Sequence, residues 1–485
     1  MALSAVLLET PATQRWAITV VALLLLLSTR CIYRIRFHPL APIPGPVFAK
    51  CSSLWLHYHA YMGDETTTVH RLHKAYGPVV RVAPNDVDIS DGEAIAPIYV
   101  DKGGFAKSAC YVNYNIDGHA SIFSTLSSAY RAPRAKAVVG IFSTASIRSG
   151  SDRIYECVDK FVSRLQAEAS TGRPVNILNL SRAVAIDAVS SFLFHKSYYG
   201  IEEKSSQLSV SPFVDAFVAV GRFFYLPNGV LLLLEWFIAT FMPDKHVNES
   251  FIAVDGFISQ LVDSAAKDTE TYPGRLLDRG ISKSETIAQC KDVIFAGTDA
   301  NGLNLATICW YLSWHSERYA TLRKEIMENQ ATQADIQTLP YLKGVIKEGL
   351  RLAMANPSRH PRVVPESGWN FRGFHFPAGT NVGVAAFEPH QDPNSFPDPE
   401  RFLPERWLNP TPEMQRDWVP FGNGPRACIA RNLATAELFM AVEKLVQADV
   451  LKGARPVKDR IEIYEWFNSK VRDGRIELVW PAGVE

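Results

Sequence analysis

The sequence predicts a mainly helical globular protein with a small β-rich part, preceded by one membrane-spanning helix. Three observations carry that prediction. An apolar run at residues 16–27, with five consecutive leucines, stands near the N-terminus. Long stretches repeat apolar residues at helical spacing, whereas residues 76–85 read as a turn, a short strand and another turn. The chain has 485 residues, ample for one large core or several domains.

Lys plus Arg and Asp plus Glu each total 50, so no net basic field argues for nucleic acid. The seven cysteines are odd in number and show no CxxC or zinc spacing. A disulfide scaffold is therefore not expected, and a reducing, cytosol-facing compartment is. Cys31, Cys51, Cys110, Cys157, Cys290 and Cys309 stand outside any motif and read as packing residues.

The apolar run is short of the about 20 residues that cross a bilayer, so it needs Cys31, Ile32 and Tyr33 to reach the far interface. Arg30, Arg34 and Arg36 follow it and place that side in the cytosol. A cleaved signal peptide is the competing reading. Against it, the charge lies after the run and no small-x-small site follows directly. Residues 1–36 thus form the anchor and residues 37–50 a hinge, in which four prolines within positions 38–46 enforce a stiff, extended connector.

Residues 105–123 are rich in Gly, Asn, Ser and aromatics without clear periodicity, which suits a loop lying over a pocket. Residues 154–169 are helical by spacing. Gly172-Arg173-Pro174 breaks the pattern, and a second helical stretch runs to about residue 193. Residues 213–242 are strongly apolar, but Pro227, Gly229 and Glu235 interrupt them. Paired helices lining an apolar pocket and dipping into the bilayer surface fit better than a second span. The sequons at Asn179 and Asn248 go unused if the body faces the cytosol.

The chain is organised around Phe421-Gly422-Asn423-Gly424-Pro425-Arg426-Ala427-Cys428-Ile429-Ala430. Two glycines and a proline predict a tight loop, and a helix begins after Ala430. Cys428 then sits at a helix N-terminus, where N–H groups favour a thiolate able to bind a soft metal axially. A second stretch, Ala296-Gly297-Thr298-Asp299-Ala300-Asn301-Gly302, sits within a long helix predicted over residues 286–312. Small residues there are poor core packing and cost helix stability, so they mark either a close helix crossing or a functional groove.

These stretches resemble the cytochrome P-450 family, microsomal and fungal-like. The loop is similar to its Phe-x-x-Gly-x-Arg-x-Cys-x-Gly haem motif at Phe421, Gly424, Arg426 and Cys428, with Ala430 replacing the last glycine. The helix resembles its dioxygen groove at Ala296, Gly297 and Asp299, with Ala300 where a threonine is usual. Glu348 and Arg351, with Arg401 of Pro399-Glu400-Arg401-Phe402, resemble its buried charge triad. Phe402-Leu403-Pro404-Glu405-Arg406-Trp407 also follows the family pattern. Arg362, and Arg134 four residues after Tyr130, match positions that meet the haem propionates.

The resemblance covers essentially the whole chain and implies a P-450 fold, with residues 51–485 as a haem-thiolate catalytic domain. It implies haem b with Cys428 as axial iron ligand, Arg426, Arg362 and Arg134 on the propionates, and Phe421 near the sulfur. Asp299 brings protons, and Thr298 or Asn301, ordered water or the substrate itself replaces the hydroxyl missing at Ala300. The activity implied is O2-dependent hydroxylation or epoxidation of an apolar secondary-metabolite intermediate at the endoplasmic reticulum. Electrons come from an NADPH-dependent diflavin reductase, because no flavin- or nicotinamide-binding stretch is present. Oxidative ring coupling, dehydration or rearrangement is the alternative, and a non-catalytic haem-binding protein a remoter one.

Overall fold

The computed structural model describes residues 12–204, 208–265 and 268–481. Residues 1–11 of the proposed anchor lie outside them. Helix α1 (Ala12–Arg36) is longer than the apolar run that announced it, because nothing breaks the helix before Arg36. Over Trp16–Arg36 it is apolar enough to cross a membrane, and none of that window is buried against the body.

The hinge is stitched to a five-stranded sheet. That sheet runs β1 (Val79–Ala83), β2 (Asp86–Ile89), β5 (Asn381–Gly383), β4 (Arg362–Val363), β3 (Ala106–Lys107) across its width. Only the β2–β5 pair is parallel. Arg81 on β1 is fully buried and donates to the carbonyls of Arg34 at 2.8 Å, Leu40 at 3.4 Å and Pro84 at 2.6 Å. Its guanidinium, pushed down to about 10 by burial and by Arg34, is stabilised by these carbonyls and not by an acid. Gly45 allows the approach: any Cβ there would stand 2.3 Å from the Arg81 carbonyl oxygen.

The rest is a helical body. Its helices include α2 (Ser128–Val138), α3 (Ser151–Ala169), α4 (Ile177–Phe194), α5 (Asn228–Phe241), α6 (Lys245–Ala265), α7 (Lys283–Trp314), α8 (Pro340–Ala353) and α9 (Arg431–Gln447). α3 shows the predicted stripe: Ile154, Val158, Phe161, Val162 and Leu165 are buried and the opposite face is polar. α4 is buried nearly all round and packs along α7. Gly297 and Gly302 of α7 face that contact; a Cβ would reach Val189 at 2.7 Å or Arg182 at 2.6 Å. The small residues therefore do serve a close helix crossing.

The apolar stretch 213–242 forms two helices, as expected: Ser211–Val220, which buries Phe213, Val214 and Val218 and sends Phe217 to line a cavity, and α5. Leu231 alone of its residues is buried, while Leu233, Trp236 and Phe241 are each about 60% exposed. Of its interruptions only Pro227 sets a limit, at the N-cap; Gly229 and Glu235 lie within the helix, which stops at Phe241.

The charge triad differs from expectation. Arg351 donates to both Glu348 oxygens at 3.0 and 2.8 Å, and the pair is fully buried. The third member is Arg406, whose Nε donates to Glu348 Oε1 at 3.1 Å; Trp407 Nε1 donates to Oε2 at 2.9 Å. Arg401 is instead two-thirds exposed beside Asp398 at 3.6 Å and contributes only its carbonyl, which accepts from Arg351. Two Pro-Glu-Arg-aromatic runs stand in tandem, and the second one docks. Its turn, Pro404–Trp407, lies against α8 at Gly344, where a Cβ would meet the Pro404 oxygen at 2.5 Å.

Candidate active site

Cys428 lies where the loop predicts. Gly424 closes a one-turn 3-10 helix, Gly424–Arg426, and the Cys428 N–H donates to the Phe421 carbonyl at 2.9 Å. Gly424 has φ +71°, and a Cβ would collide with the Tyr99 carbonyl oxygen at 1.8 Å, so only glycine fits. Ala430 occupies the N-cap of α9 at φ −96°, where glycine is not required. The Cys428 side chain opens into a cavity, yet the surrounding protein desolvates it. Burial raises the thiol, and the Ala430 N–H and Arg431 pull it only partly back. The helix end alone does not make a thiolate; a metal ion bound there would.

Ala296, Gly297 and Ala300 of α7 form another wall of that cavity, and Phe421 also lines it. The cavity holds four cations, Lys107, Arg131, Arg362 and Arg426. Lys107 and Arg362 are direct cross-strand partners on β3 and β4, a like-charge placement that destabilises a sheet unless an anion answers it. None of the four is in ion-pair contact with a carboxylate among the described residues. Arg426 donates to the carbonyls of Thr125 and Leu126, Arg362 to the Tyr111 hydroxyl and Lys107 to the Phe123 carbonyl. Burial, then Arg131 and Arg362, push Arg426 down to about 10. Burial pulls Lys107 well below its ordinary value, so its charge too needs an anion to hold it. Together, an inward-facing thiol and a set of basic side chains without an ion-pair partner fit an iron porphyrin with two propionates.

Several expected residues lie elsewhere. Arg134 grips Glu285 at the start of α7, with Nη2 at 2.8 Å, and stacks over the Tyr130 ring; Arg131, one turn back, faces the cavity. Asp299 is turned away from the cavity and accepts from Arg182 at 2.7 Å, which also meets Asp215 at 3.2 Å. Burial raises its carboxyl and Arg182 opposes this. Thr298 is fully buried, off the cavity. Asn301 does reach the cavity, but its amide donates to Glu437 of α9. Burial lifts Glu437 to about 8, and its other oxygen has no partner.

Sequence reasoning missed Lys107, Arg131, Arg406 and Glu437. An acid among the apolar residues of α9 was a usable signal for Glu437, though Glu443 shares it, and the repeated Pro-Glu-Arg run was one for Arg406. Lys107 gave none, because its position depends on strand register.

The stretch 105–123 does line the cavity, but it is partly ordered, as strand β3 and a 3-10 helix over Ala109–Tyr114. Gln289 of α7 accepts from the Ile122 N–H at 3.0 Å and donates to the Ala120 carbonyl at 3.0 Å, and Lys291 pairs with Asp117 at 2.6 Å.

A thiol-bearing loop, a clamped triad and a small-residue groove define a haem-thiolate protein. The chain belongs to the cytochrome P450 family: the model described as Cytochrome P450 matches residues 42–449. Cytochrome P450 monooxygenase mfmF of Annulohypoxylon moriforme is 37% identical over 96% of this chain and 100% of its own length. Cytochrome P450 monooxygenase tazI of Aspergillus terreus is 29% identical over 87% of this chain and 89% of its own. Cytochrome P450 monooxygenase cpaH of Aspergillus oryzae is 28% identical over 86% and 84%. The protein is thus an oxygen-incorporating oxidoreductase that uses haem with a cysteine thiolate ligand, O2 and a redox partner on a small molecule.

Proposed function

We propose that this monooxygenase works at the endoplasmic reticulum membrane, tethered by α1 with its body in the cytosol, and hydroxylates or epoxidises a largely apolar secondary-metabolite intermediate. Its electrons come from an NADPH-dependent diflavin reductase. One observation carries the site assignment: the Cys428 thiol and four basic side chains without an ion-pair partner open into one cavity beneath Ala296, Gly297 and Ala300. In this reading Cys428 ligates the iron, and Arg362, Arg426, Arg131 and Lys107 hold the propionates. When bound, the haem supplies dioxygen binding and activation, with the thiolate donating electron density that favours O–O cleavage. Cys428→Ser tests the ligand. The intact reduced protein with carbon monoxide should show the strongly red-shifted thiolate-type Soret band, and the serine variant should lose it. A histidine-type spectrum from the intact protein would overturn the assignment.

The chain's own part in proton supply centres on Ala300. Its methyl leaves room in the cavity, Asp299 is held by Arg182, and the Asn301 amide is held by Glu437. A water or a hydroxyl of the substrate then takes the place of the usual threonine hydroxyl. General acid help of that kind contributes about 10²–10⁴-fold. Ala300→Thr should raise product formed per NADPH consumed on a plain hydrocarbon, and should leave that ratio unchanged on the native substrate. Equal improvement on both would mean that the substrate contributes nothing.

A further inference from the structure

Cys31 and Cys51 come from different elements and meet where α1 joins the body. Cys31 lies in the last turns of α1, and Cys51 ends the short helix Val47–Cys51, which packs against α1. Arg34, three residues after Cys31 and so on the same face of α1, donates from Nη1 to the Cys51 carbonyl. Beside that bond the two side-chain thiols are hydrogen-bonded to each other. Both residues are half-buried, which leaves them within reach of a small solute. The other cysteines keep different company. Cys157 meets the Ser191 hydroxyl at 3.5 Å and Cys110 that of Ser108, Cys428 opens into the cavity, and Cys290 and Cys309 are fully buried.

The surroundings of the pair are cationic. Arg34 and Arg81 both stand close enough to Cys51 to favour its thiolate, and neither is in ion-pair contact with a carboxylate among the described residues. Burial and then the Cys31 thiol work the other way and raise Cys51 above its ordinary value. The pair therefore rests as two thiols at neutral pH, and its reactive thiolate grows as pH rises. Packing alone would be served as well by two small apolar residues, and it gives no reason for sulfur on both sides of the contact.

We propose that Cys31 and Cys51 are a redox modification site, at which a peroxide converts the thiol pair into a disulfide that staples α1 to the body. One sulfur, ionised, attacks a peroxide oxygen; the O–O bond breaks, the sulfur becomes a sulfenic acid, and the departing hydroxide takes up the thiol proton as water. The second sulfur then attacks the sulfenic sulfur, the S–O bond breaks, and a second water leaves with the remaining thiol proton. Two electrons pass from the sulfurs to the peroxide, so two thiols and one hydrogen peroxide give one disulfide and two waters. A dithiol reductant reverses the step by exchange, and switchable disulfides of this kind are those that a reducing compartment permits. The loop so closed, residues 31–51, contains the whole proline-rich hinge. Reduced, α1 and the body are held by hydrogen bonds through Arg34 and Arg81; oxidised, they share a covalent bond as well.

The test uses the full-length, haem-loaded protein and reads the cysteines directly. Hydrogen peroxide is added in one arm and the thiol oxidant diamide, which spares haem, in the other. Remaining thiols are alkylated and tryptic peptides mapped without reduction. Cleavage after Arg30, Arg34, Lys50 and Arg71 should yield peptide 31–34 joined to peptide 51–71, two hydrogens lighter than their sum. This pair should form about tenfold faster than any other cysteine pairing, because its sulfurs are already in contact. Its rate should rise between about pH 6 and pH 8 as the thiol ionises, and dithiothreitol should remove it. Cys31→Ser and Cys51→Ser should each abolish the linked peptide, and an unchanged carbon monoxide spectrum shows that these variants are folded. The same linked peptide should appear in peroxide-treated cells whose thiols are trapped before lysis. Separate alkylation of Cys31 and Cys51 after oxidation, a bond from either to another cysteine or to a second chain, or sulfinic acids without a disulfide would each overturn the proposal. So would a linked peptide found in the purified protein only.

Discussion

Glu437 illustrates how a single buried acid makes this fold pH-sensitive. Its carboxyl is lifted to about 8, first by burial, with the Asn301 amide opposing. A folded-state value above the unfolded one means that the folded protein binds more protons between the two. Stability is therefore full below the ordinary carboxyl range and falls as pH rises towards about 8, where the buried acid must ionise. Glu437→Gln keeps an acceptor for Asn301 and removes the titration. The melting temperature of the variant should drop less than that of the parent between pH 5 and pH 8. Parallel curves would show that another group governs that window.

Among the elements, the turn Pro404–Trp407 and helix α8 form the most consequential contact outside the site. Arg406 and Trp407 both reach Glu348, and Glu348 also accepts from the Leu403 N–H at 3.1 Å. Removing Arg406 leaves a fully buried glutamate short of a partner, a type of loss that costs about 3–5 kcal/mol. Arg401→Ala removes an exposed pair and should stay within about 0.5 kcal/mol. Urea unfolding with haem absorbance as the probe distinguishes them: Arg406→Ala should lose haem at lower urea, and Arg401→Ala should not. The sequence contained both arginines in near-identical settings, and spacing could not choose between them. The choice is made by Gly344, far away in the chain, whose missing Cβ lets the turn at Pro404 approach the helix. Local signals placed the turn that carries Cys428 and the long helix α7 well, since a loop and a helix carry their own geometry. They misplaced Arg134 and Arg401 and missed Lys107, because those depend on which neighbour a side chain meets.

For the whole molecule, the proposed membrane contact has two parts. α1 is apolar along Trp16–Arg36. α5 adds a second exposed apolar face through Leu233, Trp236 and Phe241. Deleting residues 1–36 should release much of the protein from microsomes yet leave a fraction bound. Adding Leu233→Ser and Trp236→Ser should free the remainder, read by sedimentation at low salt without detergent. Complete release by the deletion alone would assign all the binding to α1. The helical architecture, the tether and the covering loop were legible from periodicity and composition. The exposure of α5 was not, because an apolar run of this length is equally a core helix until its neighbours are known.

Arg81 gives the tether a mechanical meaning. Its guanidinium joins the carbonyls of Arg34 and Leu40 to the sheet whose other strands carry Lys107 and Arg362. The anchor is thus less a rope than a lever with its fulcrum in β1. A bilayer thinner or thicker than α1 tilts that helix, and the tilt must either break the guanidinium bonds or swing the whole body with it. In the proposed membrane-bound state, lipid thickness would then set the angle at which the enzyme leans on the bilayer, and how deeply α5 sinks as it does so.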